Sequence, residues 1–191
     1  MGSPYESLVL DGLHPRLRAY FSTIPQGSFG RGSGVFDVVG TPRRWLWPVL
    51  WVLGRQGVVF PYWGSAPFTV TNRQTDAGLA ATRTFHFPRG SRSMIDLMSL
   101  RGGVLHDELG ARRRYGVQLE ARVENTALRL RSVRMWMRLG GIRVPVPATV
   151  ELTERWDDEV GRQHVSVSIS AAVVGRVYEY AGYFDYEVID S

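Results

Sequence analysis

Strict two-residue alternation is the feature that most constrains this chain. Val117, Leu119, Ala121 and Val123 alternate with Gln118, Glu120, Arg122 and Glu124, and Val165, Val167, Ile169 and Ala171 alternate with Ser166, Ser168 and Ser170. Successive side chains of a strand point to opposite faces, so each stretch reads as a strand with one apolar and one polar face. The same pattern recurs where Phe68 and Val70 alternate with Thr69 and Thr71, and where Leu79, Ala81, Phe85 and Phe87 alternate with Thr82, Thr84 and His86. Turn signals separate these stretches at Asp76-Ala77-Gly78, Arg89-Gly90, Arg101-Gly102-Gly103, Glu124-Asn125, Gly140-Gly141, Asp157-Asp158 and Gly161. Many short strands so spaced predict a mainly β protein, an antiparallel meander of about 8–10 strands. One-sided alternation requires a single apolar inside, which favours a lipocalin-like β-barrel over a sandwich. A helix-grip fold is the nearest rival, but it ends in a long helix, whereas residues 176–188 read as a strand. No repeat or linker interrupts the chain, so residues 1–191 are expected to form one domain.

Three segments break the strand pattern. Leu13, Leu17 and Tyr20/Phe21 fall on one face of a short N-terminal helix with Pro15 in its first turn. Gly27, Gly30, Gly32 and Gly34 lead into the strand-like residues 35–39. A phosphate-binding glycine loop follows a strand and opens a helix, so this order predicts a bend or bulge at the start of the sheet instead. Thr41-Pro42 reads as a helix start, with residues 43–53 apolar nearly all round and containing Trp45, Trp47 and Trp51. Such a helix must be covered: it is expected to plug one end of the barrel, the sharper reading being an interfacial anchor with Arg43 and Arg44 at lipid headgroups.

Composition removes whole chemistries. All 23 basic residues are Arg, Cys is absent, and the formal charge is +5. Without Lys there is no Schiff base and no P-loop lysine; without Cys there is no thiol nucleophile, disulfide, iron–sulfur cluster or thiolate zinc site. Exclusive Arg usage fits a GC-rich genome, which weakens the charge as a sign of nucleic-acid binding. Arg112-Arg113-Arg114 could touch phosphate but reads as a solvated strand end, and no nucleic-acid module accompanies it. His14, His86, His106 and His164 lack metal-ligand spacing, and their one local cluster, His106-Asp107-Glu108, sits beside a turn, so neither metal nor cofactor is expected. No G-x-S-x-G elbow supports a serine hydrolase. Residues 1–21 carry no leader pattern, and the longest apolar run, 45–53, is broken by Pro48 and short of the roughly 20 residues that span a bilayer. A cytoplasmic protein without a transmembrane segment is the expectation.

Charged residues in phase with apolar ones are the informative candidates, because buried charge is costly unless paired. Arg83 is in phase with Ala81 and Phe85, Asp96 with Met94 and Met98, and Glu154 with Leu152 and Trp156. They make either a structural ion pair filling the barrel or a site in which Arg83 and one carboxylate orient a ligand and move a proton. Tyr178, Tyr180, Phe184 and Tyr186 share one phase of the last strand. With Phe85, Met94, Met98, Trp156 and Trp136 they are either core or the lining of a cavity for an apolar or conjugated molecule. Trp136 lies in residues 128–139, where the apolar phase slips between Leu130 and Val133 and predicts a bulge near Ser132.

A series of weak motifs adds a resemblance. Leu13-His14-Pro15-x-Leu17-Arg18 is followed by the glycine-rich strand start, Arg83-Thr84-Phe85 and Gly103-x4-Glu108-x-Gly110. Pro145 and Pro147, Glu151 and Glu154, and Gly175-x4-Tyr180-x-Gly182 then follow in order. Taken in sequence, these resemble the bacterial domain-of-unknown-function family 4166 over nearly the whole chain. The resemblance implies a β-rich fold and carries over no catalytic residues, since that family has no agreed activity. Its members occur alone or behind dehydrogenase-like domains, so a partnering role here would be in trans.

The expected function is an enclosed pocket for a small apolar molecule, used by a cofactor-independent cyclase or isomerase of a biosynthetic pathway. Arg83, Asp96 or Glu154, and Tyr180 would polarise or protonate one group of a substrate held in a reactive conformer. Competing readings are a non-catalytic carrier or sensor, and an interaction module docking on an enzyme through Trp45, Trp47 and Trp51. A homodimer is compatible with the sequence.

Overall fold

The alternating stretches become strands of one antiparallel sheet in a computed structural model, which describes residues 2–5 and 10–190; Met1 and residues 6–9 of the N-terminal stretch lie outside the described residues, as does Ser191. The strands are β1 (Ser28–Gly40), β2 (Trp63–Thr75), β3 (Gly78–Phe87), β4 (Gly90–Arg101), β5 (Val104–Leu109), β6 (Tyr115–Glu124), β7 (Ala127–Leu139), β8 (Ile142–Pro145), β9 (Ala148–Asp157), β10 (Arg162–Ala171) and β11 (Gly175–Asp190). Strands β1 to β7 run as an up-and-down meander, and β9 to β11 continue it. The ring closes because β11 pairs with β1 along residues 28–40, and β7 pairs with both β6 and β9. The result is a closed barrel of 10 strands with β8 as an extra strand, and closure leaves the barrel wall no free edge. β7 divides its partners lengthwise: Leu128 to Arg131 pair with β9, while Trp136 to Leu139 pair with β8. The expected bulge is present, as the β6–β7 register steps from Gln118↔Arg134 to Leu119↔Ser132 and skips Val133.

The glycines of β1 lie within the strand rather than at a bend before it. Their role is close approach: a Cβ at Gly34 would lie 2.0 Å from the backbone oxygen of Tyr183, and one at Gly30 would lie 1.6 Å from the Tyr186 hydroxyl. Gly34→Ala must part β1 from β11 and is expected to cost about 2 kcal/mol in urea unfolding. Gly30→Ala is expected to cost less, because the Tyr186 phenol is the far end of a side chain that can swing away. Equal losses at the two sites would show that strand separation is not what the glycines prevent.

Each end of the barrel is covered by a helix. At one end α1 (Pro15–Phe21) buries Leu17, Tyr20 and Phe21. The His14 Nδ1 accepts the Arg16 N–H (3.3 Å), while the His14 N–H donates to the Thr126 carbonyl (3.0 Å) and ties the helix to the β6–β7 turn. At the other end the helix starts later than Thr41-Pro42 suggests. The Thr41 hydroxyl accepts the Arg43 N–H (3.2 Å), a 3-10 turn covers Arg44–Leu46, and α2 runs over Trp47–Gly54. Pro48 explains the delay, since deep in a longer helix its missing N–H and its ring would break the ladder, whereas in the first turn it is harmless.

Leu50 of α2 is buried, Leu46, Trp47 and Leu53 pack on the core, and Val58, Val59 and Phe60 follow them inside. The Ile95 N–H donates to Gly57 O (2.8 Å) and the Ala111 N–H to Gln56 O (2.9 Å), fastening this segment to the barrel rim. The segment therefore plugs the barrel with one face only. Trp45, Val49, Trp51 and Val52 are exposed on the other.

Candidate functional site

The barrel interior is aromatic, with charges set among the rings. Phe36 stacks on Phe68 with centroids 3.8 Å apart and lies 5.3 Å from Tyr180, and Phe85 stands between Phe36 (5.6 Å) and Phe60 (5.1 Å). Alternation carries Arg83 of β3, Asp96 of β4, Asp107 of β5 and Glu154 of β9 to the same side as these apolar neighbours. Arg83 Nη1 donates to Asp96 Oδ1 in an ion pair, and Gln163 Nε2 of β10 donates to Glu154 Oε2. Asp107 Oδ1 and Asn72 Oδ1 are buried without a hydrogen-bond partner, while Asn72 Nδ2 donates to the Tyr186 hydroxyl (3.4 Å).

A cavity of about 10 Å³ lies at the centre of this group. Its apolar wall includes Phe36, Phe68, Val165 and Phe184, and its polar wall is Tyr20, Arg83, Glu154 and Tyr180. That volume is room for about one water molecule. The 21% of the Arg83 side chain left uncovered belongs to a residue of this wall.

Three carboxylates thus converge on one guanidinium in a medium poor in water. Burial pushes the Glu154 carboxyl up to about 7, against the opposing pull of Arg83 and of the Gln163 hydrogen bond. Burial and the neighbouring Asp96 push Asp107 well above the usual carboxylate range. Burial also raises Asp96, with Arg83 pulling the other way. Tyr180 is pushed up to about 12 and Tyr20 higher still, both chiefly by burial, so both are neutral phenols that can donate a hydrogen bond. Near neutral pH Glu154 can give or take a proton, Arg83 supplies a fixed positive charge, and Tyr20 and Tyr180 supply donors to the same point.

The residues singled out from sequence are distributed unevenly around this point. Arg83, Glu154, Tyr180 and Phe184 line the cavity, and Asp96 stands beside Arg83 as its partner. Phe85, Met94, Met98 and Tyr178 are buried in the core away from the cavity wall, with Tyr178 edge-on to Phe60 towards α2. Tyr186 and Trp156 lie towards α1, the first against Tyr20 (4.6 Å) and the second stacked on His14 (5.9 Å).

Trp136 is the correction. It pairs with Gly116 on the outer face of the barrel, its ring so close that a Cβ on Gly116 would meet it at 2.4 Å. There it meets His106 edge-on and the Arg143 guanidinium (5.1 Å). The skipped Val133 reverses the phase of β7, turning Met135 inward and Trp136 outward.

From sequence Asp107 enters only through the His106-Asp107-Glu108 cluster and Tyr20 only as part of the face of α1, and Gln163 has no assigned role. Asp107 is in phase with Leu105 and Leu109 and was open to the same argument as Asp96. Tyr20 joins the site only because α1 closes the barrel.

Among the described residues no group of three or more His, Cys, Asp or Glu is arranged to hold a metal ion. A second cavity, of about 270 Å³, lies at the rim beside α2 and is bounded by Thr41, Arg43, Arg176 and Glu179.

Searches of the curated proteins and of the solved structures found no match to this chain. The sequence model of a protein family described as a domain of unknown function, DUF4166, matches residues 13–184, which is most of the chain. The chain belongs to the DUF4166 family, to which no activity is assigned.

Proposed function

We propose that the barrel interior binds a small apolar or conjugated molecule and moves a proton on it, making the chain a cofactor-independent isomerase of a biosynthetic pathway in the cytoplasm. The observation that carries the reading is the convergence of Glu154, Arg83 and Tyr180 on one cavity in an otherwise aromatic interior. A carboxyl raised to about 7 is matched to proton transfer at neutral pH. In this scheme Arg83 and Tyr180 polarise a carbonyl or similar oxygen of the substrate. Glu154 removes a proton from one carbon and returns it to another, so no atoms are gained or lost. Asp96 holds the Arg83 guanidinium in place.

Proton transfer is favoured over cyclisation of a flexible polyene, because the cavity holds about one water and a folded chain would need far more room. Substrate must displace a wall. The seven-residue α1, which brings Tyr20 to the cavity, is the shorter of the two helical covers.

The test joins native mass spectrometry and Trp fluorescence, run on the purified chain against a panel of conjugated carbonyl compounds. Conversion of a ligand so found is then followed by NMR in deuterated water. Glu154→Gln is expected to lower turnover at least 100-fold while leaving affinity within about threefold. Binding without turnover in the wild type would make the chain a carrier. A Glu154→Gln protein as fast as wild type would remove Glu154 from the chemistry.

A further inference from the structure

The two ends of the barrel differ in chemistry in a way the interior does not explain. At the α2 end the strands are joined by residues 41–62, 88–89, 110–114, 140–141, 146–147 and 172–174. These connections hold Arg43, Arg44, Arg55, Arg89 and the arginines at 112–114, and they hold no Asp or Glu. At the α1 end the turns at 76–77, 102–103, 125–126 and 158–161 hold Asp76, Asp158 and Glu159 and no arginine, and the α1 segment adds Asp11, Arg16 and Arg18. The connections at the α2 end are therefore basic, while those at the α1 end carry more carboxylates than arginines.

Exposed apolar side chains follow the same division. Among the described residues the exposed tryptophans, leucine and isoleucine stand at the α2 end: Trp45 (62% exposed), Trp51 (50%), Trp63, Leu139 and Ile142 (71%). Val173 at the tip of the β10–β11 turn is 98% exposed. The large apolar residues exposed at the α1 end are valines.

We propose that the α2 end is a docking face for an anionic lipid bilayer, on which the barrel sits as a peripheral protein. Trp is suited to the depth of lipid headgroups, where its ring is apolar and its N–H finds an acceptor. Arg binds phosphate oxygens in a bidentate fork and is weakly hydrated, so it can follow the rings into that layer. The two residue types are already interleaved here, with the Arg55 guanidinium 3.7 Å from the centre of the Trp51 ring and Arg44 over Trp47. The rim cavity at the same end is lined by Arg43 and by Arg176, the latter already paired with Glu179, so Arg43 is the arginine of that wall left to meet a headgroup.

A bilayer suits this face better than a protein groove. The apolar tips come from three separate connections (α2, the β7–β8 turn and the β10–β11 turn), and arginines lie between them. No helix among the described residues is long and apolar enough to cross a membrane.

The test is co-sedimentation of the full chain with vesicles of phosphatidylcholine alone, or with roughly 30% phosphatidylglycerol, while Trp emission is recorded. Binding to the anionic vesicles is expected to be at least about tenfold stronger, with a blue shift of Trp emission and loss of binding at roughly 0.5 M salt. Trp45→Ser with Trp51→Ser is expected to weaken it about tenfold. Both rings are exposed, so the fold should survive, and circular dichroism checks that it does. Arg16→Gln with Arg18→Gln, at the far end, is expected to change nothing. Failure of the folded wild-type chain to prefer anionic vesicles would overturn the proposal. So would binding that ignores Trp45 and Trp51 but falls with Arg16 and Arg18, the signature of unspecific charge adsorption.

Discussion

Arg83→Met is expected to cost about 4 kcal/mol of stability at neutral pH, because it strands the Asp96 carboxylate inside the barrel without its partner. For a chain of this length such a loss lowers the melting temperature by roughly 10 °C. The double variant Arg83→Met with Asp96→Leu is expected to recover most of that loss. Two buried charges held against each other are often worth no more than two apolar side chains of similar size, and the damage comes from removing one alone. Asp96→Leu by itself leaves Arg83 beside the Glu154 and Asp107 carboxyls, either of which can ionise to pair with it once Asp96 is gone, so its cost should be smaller than that of Arg83→Met. A double-mutant cycle by urea denaturation measures the coupling. Additive losses in the two single variants would mean that Arg83 and Asp96 act separately, and the view of Asp96 as the residue that positions Arg83 would have to be given up.

The strands, their order of alternation and the closed barrel were legible because a half-buried strand writes its two faces into the sequence. Arg83, Asp96 and Glu154 were legible for the same reason: each interrupts an apolar phase, and each is found inside. Asp107 interrupts an apolar phase too. Its strand is only six residues long, however, and His106 and Glu108 on either side make the stretch look like a polar turn. Glu108 is itself buried, held on the other face of β5 by Arg101 (3.3 Å) and Arg138 (3.0 Å).

Phase arguments fail where the phase changes. The slip in β7 was visible between Leu130 and Val133, but a slip does not say which way later residues turn, and Trp136 came out on the wrong side. Cavity size was beyond reach for a different reason. It depends on how side chains from ten strands and α1 interdigitate, and here Tyr20, Phe36, Phe68 and Phe184 leave about 10 Å³. The exposed face of α2 was equally hidden, since a helix apolar all round gives no sign of which side the barrel takes.

Stability is expected to fall as pH rises from about 4.5 to about 7, the reverse of ordinary acid denaturation, and Glu154 is one cause. Its carboxyl titrates near 7 in the folded chain and near 4.5 once unfolded and solvated. Between those values the folded state holds a proton that the unfolded state has released, so raising the pH favours unfolding. Above about 7 both states have lost the proton and the slope vanishes; below about 4.5 both have it. The full span corresponds to about 3 kcal/mol. Asp107, raised by burial and by Asp96, acts in the same direction.

Urea unfolding at intervals from pH 5 to pH 8 reads this slope directly. Glu154→Gln keeps the shape of the side chain and removes its charge, so it should remove the Glu154 share of the decline and be more stable than wild type at pH 8. Asp107→Asn should reduce the decline in the same direction. A wild-type protein whose stability climbs from pH 5 to pH 8 would mean that Glu154 is ionised and well paired in the folded state, and the same result would deprive it of the raised proton affinity on which its proposed catalytic part depends.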